Sequence, residues 1–110
     1  MTNTQFFRES QQVDLSSAGN IRLSNLTGYR STDIYAIPVQ EFDEVEAIED
    51  AHDKQAVMLT YAIGSGQTRK LDSGKYQLIL PAGTVAFAAY RGIARKPKRQ
   101  EPEPQKQDAE

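Results

Sequence analysis

Apolar and polar residues alternate most regularly between Leu71 and Gly92, in the stretch LDSGKYQLILPAGTVAFAAYRG. Every second residue is apolar on both sides of the turn at 81–84: Tyr76, Leu78 and Leu80 precede it, and Val85, Phe87 and Ala89 follow it. Alternation with a period of two around a Pro/Gly break is typical of a half-buried β-hairpin. We therefore predict a hairpin over 71–92 that supplies the centre of the core.

Three other stretches have the pattern of short strands. Residues 20–26 (NIRLSNL) alternate apolar with polar, and residues 33–39 (DIYAIPV) reach a proline that cannot donate a ladder hydrogen bond. Residues 55–63 (QAVMLTYAI) carry an apolar side chain at every second position from Val57 onwards. Residues 1–19 are rich in Thr, Asn, Gln and Ser, which predicts a flexible polar arm with at most one short edge strand.

The segment 41–53 is acidic and has a different period. Its apolar residues recur at every third position: Phe42, Val45, Ile48 and Ala51. This spacing favours a short helix with one apolar stripe over a strand, with an acidic loop as the alternative. The carboxylates repel one another, so a helix here needs packing to persist.

The order of these elements indicates the fold class. Short strands with turn signals throughout, and one isolated helix, favour an all-β antiparallel sandwich or barrel of about six or seven strands over a βαβ fold. The predicted organisation is the arm at 1–19, a β domain at 20–95 and a charged, proline-rich tail at 96–110. We expect the tail to be disordered because it has too little apolar surface to bury.

The net charge of −2 conceals a strong polarity along the chain. Residues 1–53 contain three Lys/Arg and ten Asp/Glu, residues 54–100 contain nine and one, and residues 101–110 contain one and four. Such a chain can pair its own acidic and basic segments, or pair with a second copy head to tail. A protein partner or self-association is therefore expected.

No catalytic constellation emerges from the sequence. There is no cysteine, so there is no thiol nucleophile, disulfide or thiolate metal site. Ser65 and Ser73 lie beside glycines without the G-x-S-x-G spacing, and GSGQTRK at 64–70 lacks the spacing of a phosphate loop. We expect a protein that is not an enzyme and that holds no cofactor.

The single histidine, His52, lies inside the acidic segment. Imidazole and carboxylates together are a donor set for divalent metals, but 41–53 contains no glycine and does not match an EF-hand loop. We expect a solvated histidine among solvated acids and no specific metal site. The alternative is a weak calcium site at this segment that stabilises a surface module.

Two groups of residues are the interaction candidates. The first is the basic run at the end of the predicted domain: Arg91, Arg95, Lys96, Lys98 and Arg99. Such runs bind phosphate backbones through counterion release, but Pro97 interrupts this one and four acids follow it. The second is the aromatic pair Phe6 and Phe7, for which packing on the domain is the favoured interpretation. Asn25, in the sequon 25–27, lies in a predicted strand, which favours a chance match.

Three short motifs resemble a family of small immunoglobulin-like β-sandwich domains of unknown function, found in bacterial exported and cell-surface proteins. They are IRLSNL at 21–26 (R-x-x-N), DIY at 33–35 (D-x-Y) and LDSGKY at 71–76 (L-x-x-G-x-Y), and LPAGT at 80–84 also fits. The resemblance spans 20–94 and implies an immunoglobulin-like sandwich with an adhesive or structural role. It transfers no catalytic residue. The long acidic insert at 41–53 departs from the family pattern.

The function expected from these observations is that of a non-enzymatic structural or interaction module of a cell-surface, periplasmic or virion assembly, acting through its surfaces and arm. The alternative is an intracellular adaptor or nucleic-acid-associated protein that uses the cluster at 91–99. No apolar run reaches the ~20 residues that a membrane span needs. The start, MTNTQFFRES, lacks the regions of a signal peptide, so localisation is extracytoplasmic only if a leader precedes it, and otherwise cytoplasmic or virion.

Overall fold

The computed structural model describes residues 2–28 and 32–95. Within these ranges the chain forms seven strands and two helices: β1 Thr2–Phe7, β2 Gln11–Asn25, β3 Ile34–Pro38, α1 Val39–Glu46, α2 Ala51–Leu59, β4 Ala62–Ile63, β5 Thr68–Leu71, β6 Lys75–Ile79 and β7 Ala86–Arg95. The prediction of a mainly antiparallel β fold with about seven strands is confirmed. Neither helix in the described ranges is long and apolar enough to cross a membrane.

One antiparallel sheet has the strand order β1-β7-β2-β6-β3-β4, and β5 also pairs with β2. The long strand β2 is the centre of this sheet. Its first part pairs with β6, its last part pairs with β5, and β7 follows it along the opposite side. β5 and β6 therefore lie end to end beside β2.

The paired strands β2 and β7 bend where their register shifts. The shifts fall between Asp14 and Ser17 and between Gly19 and Arg22, and such bulges bend a strand and increase its twist. Opposite the bend, Gly92 adopts φ +92, and a Cβ there would lie 2.5 Å from the Ser17 carbonyl oxygen. The bend therefore depends on a position that only glycine fits.

The core lies between the two halves of this bent sheet. Side chains from both halves belong to one buried cluster: Ile21, Leu23, Ala86 and Ala88 from one half, and Val13, Leu15, Tyr76, Leu78, Ile34 and Ala36 from the other. Apolar residues of the two halves bury one another, which is the main driving force for closing the fold.

The hairpin predicted over 71–92 is wrong in its pairing. β6 and β7 both pair with β2 and not with each other. The face assignment on β7 also differs, because Ala86, Ala88 and Tyr90 are buried while Phe87 is only half-buried. The small alanines face the core, and the bulky Phe87 faces outwards, where it packs on Phe6.

The strand predicted over 55–63 is also wrong for most of its length. Residues 51–59 form α2, and only Ala62–Ile63 is a strand. The Asp50 side chain caps this helix by accepting a hydrogen bond of 2.9 Å from the Asp53 backbone N–H. Ala, Lys, Gln, Met and Leu, which make up much of α2, are good helix formers.

The acidic segment forms two helical pieces instead of one helix over 41–53. α1 ends at Glu46, with Ala47 as its C-cap, and α2 begins at Ala51. Val45 is the buried residue of α1, whereas α2 has no buried residue. The helices thus form a lightly anchored insertion between β3 and β4.

The polar arm predicted at 1–19 is part of the sheet in the described residues. β1 pairs with β7 over its whole length, and residues 11–19 belong to β2. Every residue of β1 has a partner on β7, a strand about 85 positions away, so backbone pairing and not local apolar pattern orders this segment. The tail predicted at 96–110 lies outside the described residues.

Candidate interaction surface

One side of the β1-β7-β2-β5 part of the sheet faces away from the core, and we call it the outer face. Its residues alternate with the buried ones along β2 and β7, and the pairing registers place their neighbours on β1 and β5 on the same face. They are Thr2, Thr4 and Phe6 on β1, Phe87, Ala89 and Arg91 on β7, Arg22 and Ser24 on β2, and Thr68 and Lys70 on β5. Leu26, which directly follows β2, continues this face and is 48% exposed.

An aromatic pair lies at the edge of the outer face, on strands β1 and β7. Phe6 is directly opposite Phe87, and their ring centroids are 4.9 Å apart with a tilt of 55°. Such pairs contribute about 0.5–1.5 kcal/mol beyond their buried area. Phe6 nevertheless remains 56% exposed, so a large apolar surface stays in water.

Three cationic side chains lie on the same face as the aromatic pair. Arg22 is directly opposite Lys70 on β5 and opposite Ala89 on its other side. Arg91 lies on the same face of β7, two residues beyond Ala89. All three are exposed, and the ion pair found within the described residues lies elsewhere, between Lys54 and Glu46 at 3.7 Å. Like charges directly opposite one another on a sheet are destabilising, so the fold does not gain from this arrangement.

The predicted interaction residues fall in three places. Phe6 and Arg91 lie on the outer face, where Phe6 is one of the two aromatic residues and Arg91 is one of the cationic residues. Phe7 is 2% exposed and belongs to the core, which confirms the packing interpretation for this residue. Arg95 ends β7, and its side chain lies outside the described part of the chain, as do the whole residues Lys96, Lys98 and Arg99.

Sequence reasoning missed Arg22 and Lys70 as part of the same surface. The alternation of Arg22 with buried Ile21 and Leu23 already placed it outwards. The proximity of Lys70 depends on the pairing of β2 with β5, residues that lie far apart in the chain. Local periodicity carries no signal for that pairing.

The acidic insertion is held by few polar contacts. The Tyr61 hydroxyl donates a hydrogen bond to Glu41, and this bond, together with burial, raises the pKa of Tyr61 above 10.0. His52 is exposed on α2. Within the described residues no group of three or more His, Asp or Glu side chains is arranged to hold a metal ion, so nothing here favours the calcium alternative.

The two serines singled out in the sequence make long-range hydrogen bonds to backbone groups. The Ser65 hydroxyl accepts a hydrogen bond of 3.1 Å from the Thr32 N–H, and the Ser73 hydroxyl donates to the Ala18 carbonyl at the bend. The first contact joins two loops, and the second joins the turn before β6 to β2. Both serines therefore have structural hydrogen bonds.

Asn25 is a structural residue that the sequence did not reveal as such. It is fully buried, and its amide donates to the carbonyls of Thr32 (2.8 Å) and Ile63 (2.9 Å) while its oxygen accepts from the Thr27 N–H at 3.0 Å. The side chain thus joins β2, the loop before β3, and β4. A glycan cannot be attached to an amide enclosed in this way.

No protein-family model, curated protein or solved structure matches the chain.

Proposed function

We propose that this protein is a non-enzymatic structural or interaction module of a larger cell-surface, periplasmic or virion assembly, and that the outer face is its contact surface. The observation that carries the proposal is the pair Phe6–Phe87, in which Phe6 stays 56% exposed, on one face with Arg22, Lys70 and Arg91. Aromatic residues and arginine are enriched at protein contact sites.

The energetics of this surface favour a bound partner. Covering apolar surface is worth about 25 cal/mol per Å², and Phe6 and Leu26 both keep about half of their surface in water. An anionic group between Arg22 and Lys70 would also relieve the repulsion of that pair. The partner therefore offers an apolar patch with carboxylates beside it.

We further propose that the domain is an immunoglobulin-like sandwich of the kind that its motifs resemble. The antiparallel sheet supports this assignment. So does the hydroxyl of Tyr76 in the L-x-x-G-x-Y motif, which donates a hydrogen bond of 2.7 Å to the Asp72 carbonyl four residues upstream. A tyrosine bonded back to the backbone at a strand corner is a feature of such domains.

Fractionation of the native source tests the proposed function. The endogenous protein, detected with an antibody, is expected in envelope or particle fractions and to sediment with a mass far above 12.3 kDa. A protein that sediments alone in the soluble fraction would contradict an assembly role.

Binding of a polyanion such as nucleic acid is the second candidate function. It is favoured by the position of Arg91, from the predicted basic cluster, beside Arg22 and Lys70 on the same face. Aromatic side chains next to cations are also a platform for base stacking.

Chromatography on heparin and single-stranded DNA separates the two functions. Polyanion binding predicts retention at low salt that falls steeply with ionic strength and is lost in the double variant Arg22→Glu/Lys70→Glu. A protein that flows through at low salt is not a polyanion-binding protein, and the assembly role then stands alone.

A further inference from the structure

The sheet has three unpaired edges in the described residues, and they are protected very differently. β4 is an edge of two residues. β5, which pairs only with β2, has four residues and carries Arg69 and Lys70. Short length and charged side chains are the usual protections against pairing with another chain.

The third edge, β1, has neither protection. It is six residues long, and its sequence TNTQFF contains no charge and no proline. Its register on β7 runs without a bulge from Thr2 opposite Arg91 to Phe7 opposite Ala86. β1 therefore presents a long, regular row of backbone N–H and C=O groups on its free side.

Side chains hold β1 in place for such pairing. The Asn3 amide donates a hydrogen bond to the Gly92 carbonyl, and Gln5 lies 3.5 Å from the Tyr90 hydroxyl. Phe7 is buried in the core, and Phe6 packs on Phe87. These contacts order the strand before a partner arrives, which lowers the entropy cost of adding another strand.

We propose that β1 is a strand-pairing interface whose occupant is β1 of a second copy of this chain, aligned antiparallel about a two-fold axis. This inference rests on the proposed function and names one partner of the module. The pairing extends the sheet across two molecules through main-chain hydrogen bonds, as in other cases of strand addition.

The chemistry of β1 fits a copy of itself. Because the strand is uncharged, two copies approach without repulsion from their own side chains. A two-fold axis at Thr4 sets Thr2 of one copy opposite Phe6 of the other, with both outer faces on the same side of the joined sheet. Phe6, exposed in the single chain, then contacts the neighbouring strand.

Analytical ultracentrifugation of the full chain over a range of concentrations tests the pairing. We expect a reversible dimer of twice 12.3 kDa. Thr4→Lys places two like charges at the axis and raises the dimer dissociation constant by at least about tenfold. Gln12→Lys, which adds the same charge at an exposed position of β2, leaves the constant within about twofold.

Disulfide trapping gives a second, independent measurement, because the chain has no cysteine of its own. Thr4→Cys is expected to form a covalent dimer under mild oxidation, since the two sulfur atoms meet at the axis. Ala56→Cys, exposed on α2 and remote from β1, remains monomeric under the same conditions. A wild-type protein that is monomeric at every concentration, together with no covalent dimer of the Thr4→Cys variant, would overturn the proposal.

Sedimentation distinguishes pairing through β1 from the assembly role. A monomeric protein that still sediments with its native assembly contradicts the β1 pairing and leaves the proposed function intact. A β1-paired dimer found alone in the soluble fraction supports the pairing and contradicts the assembly role.

Discussion

At the scale of single residues, Gly92 allows β7 to approach β2 closely where the two strands bend. Its φ of +92 and the 2.5 Å that would separate a Cβ from the Ser17 oxygen both exclude a side chain. We expect Gly92→Ala to lower the free energy of unfolding by about 2–4 kcal/mol, measured by urea denaturation.

Gly19, which lies on β2 opposite Arg91, is the matched control. A Cβ at Gly19 would meet no atom within 4 Å, so Gly19→Ala is expected to change the free energy of unfolding by less than about 0.5 kcal/mol. Equal costs for the two alanine variants would show that the close approach at Gly92 does not constrain the fold.

Tyr61 makes stability depend on pH in the alkaline range. The hydrogen bond to Glu41 raises the pKa of Tyr61 above 10.0 in the folded state. The folded protein therefore holds the phenol proton more tightly than the unfolded chain does. This contribution is fully present below pH 10.0 and is lost as the pH rises through the folded-state pKa. Tyr76, whose pKa burial raises, acts in the same direction.

We therefore expect Tyr61→Phe to reduce the loss of stability above pH 10.0, measured as the free energy of unfolding at a series of alkaline pH values. Glu41→Gln removes the negative charge and keeps an acceptor oxygen, so it brings the pKa of Tyr61 back towards 10.0, seen by phenolate absorbance. An unchanged alkaline profile in both variants would contradict this coupling.

At the scale of elements, α2 is the part of the described chain that packing secures least. None of its side chains is buried, and Leu59 is 52% exposed. Most helical stability in proteins comes from packing an apolar face, so α2 relies on its cap and its composition. We expect its amides to exchange hydrogen much faster than those of β2 and β7.

Removing the N-cap of α2 tests whether the helix depends on it. Asp50→Ala takes away the acceptor for the Asp53 N–H and costs α2 about 1 kcal/mol, which raises hydrogen exchange across 51–59 and leaves the sheet unchanged. Asp43→Ala, at an exposed position of α1, serves as the control for loss of a carboxylate. Slow exchange in α2 of both variants would contradict a lightly held helix.

Local alternation predicts some elements of the sheet and misses others. Strands at 20–26 and 33–39 follow from local alternation, and they correspond to the last part of β2 and to β3, which ends at Pro38 because Val39 begins α1. α2 was missed because alternate apolar residues from Val57 onwards match a strand, while the Asp50 cap and good helix formers favour a helix.

The pairing of the strands was beyond local pattern. A turn between β6 and β7 indicates a hairpin, but β2 lies between them because its own side chains complete both halves of the core. The same non-local register brings Arg22 to Lys70 and Phe6 to Phe87. For this reason only Phe6 and Arg91 of the outer face were among the residues predicted for interaction.

At the scale of the whole molecule, an acidic cluster and a basic cluster lie on different elements. Exposed carboxylates cluster on the α1–α2 insertion, and Arg22, Lys70 and Arg91 lie on the outer face. These two clusters are chemically distinct regions, and each favours a partner that carries the opposite charge. Together with the free edge of β1, they suit a component that meets several neighbours.

The measurement that tests the account most directly is incorporation of variants into the native assembly. Phe6→Ser and Leu59→Ser each replace a large apolar side chain that is about half exposed, one on the outer face and one on α2. We predict that Phe6→Ser lowers the amount of protein that sediments with the assembly by at least about tenfold, because it removes a large aromatic side chain from the proposed contact surface. Leu59→Ser is expected to sediment like the wild type. Equal incorporation of the two variants would contradict the outer face as the contact surface.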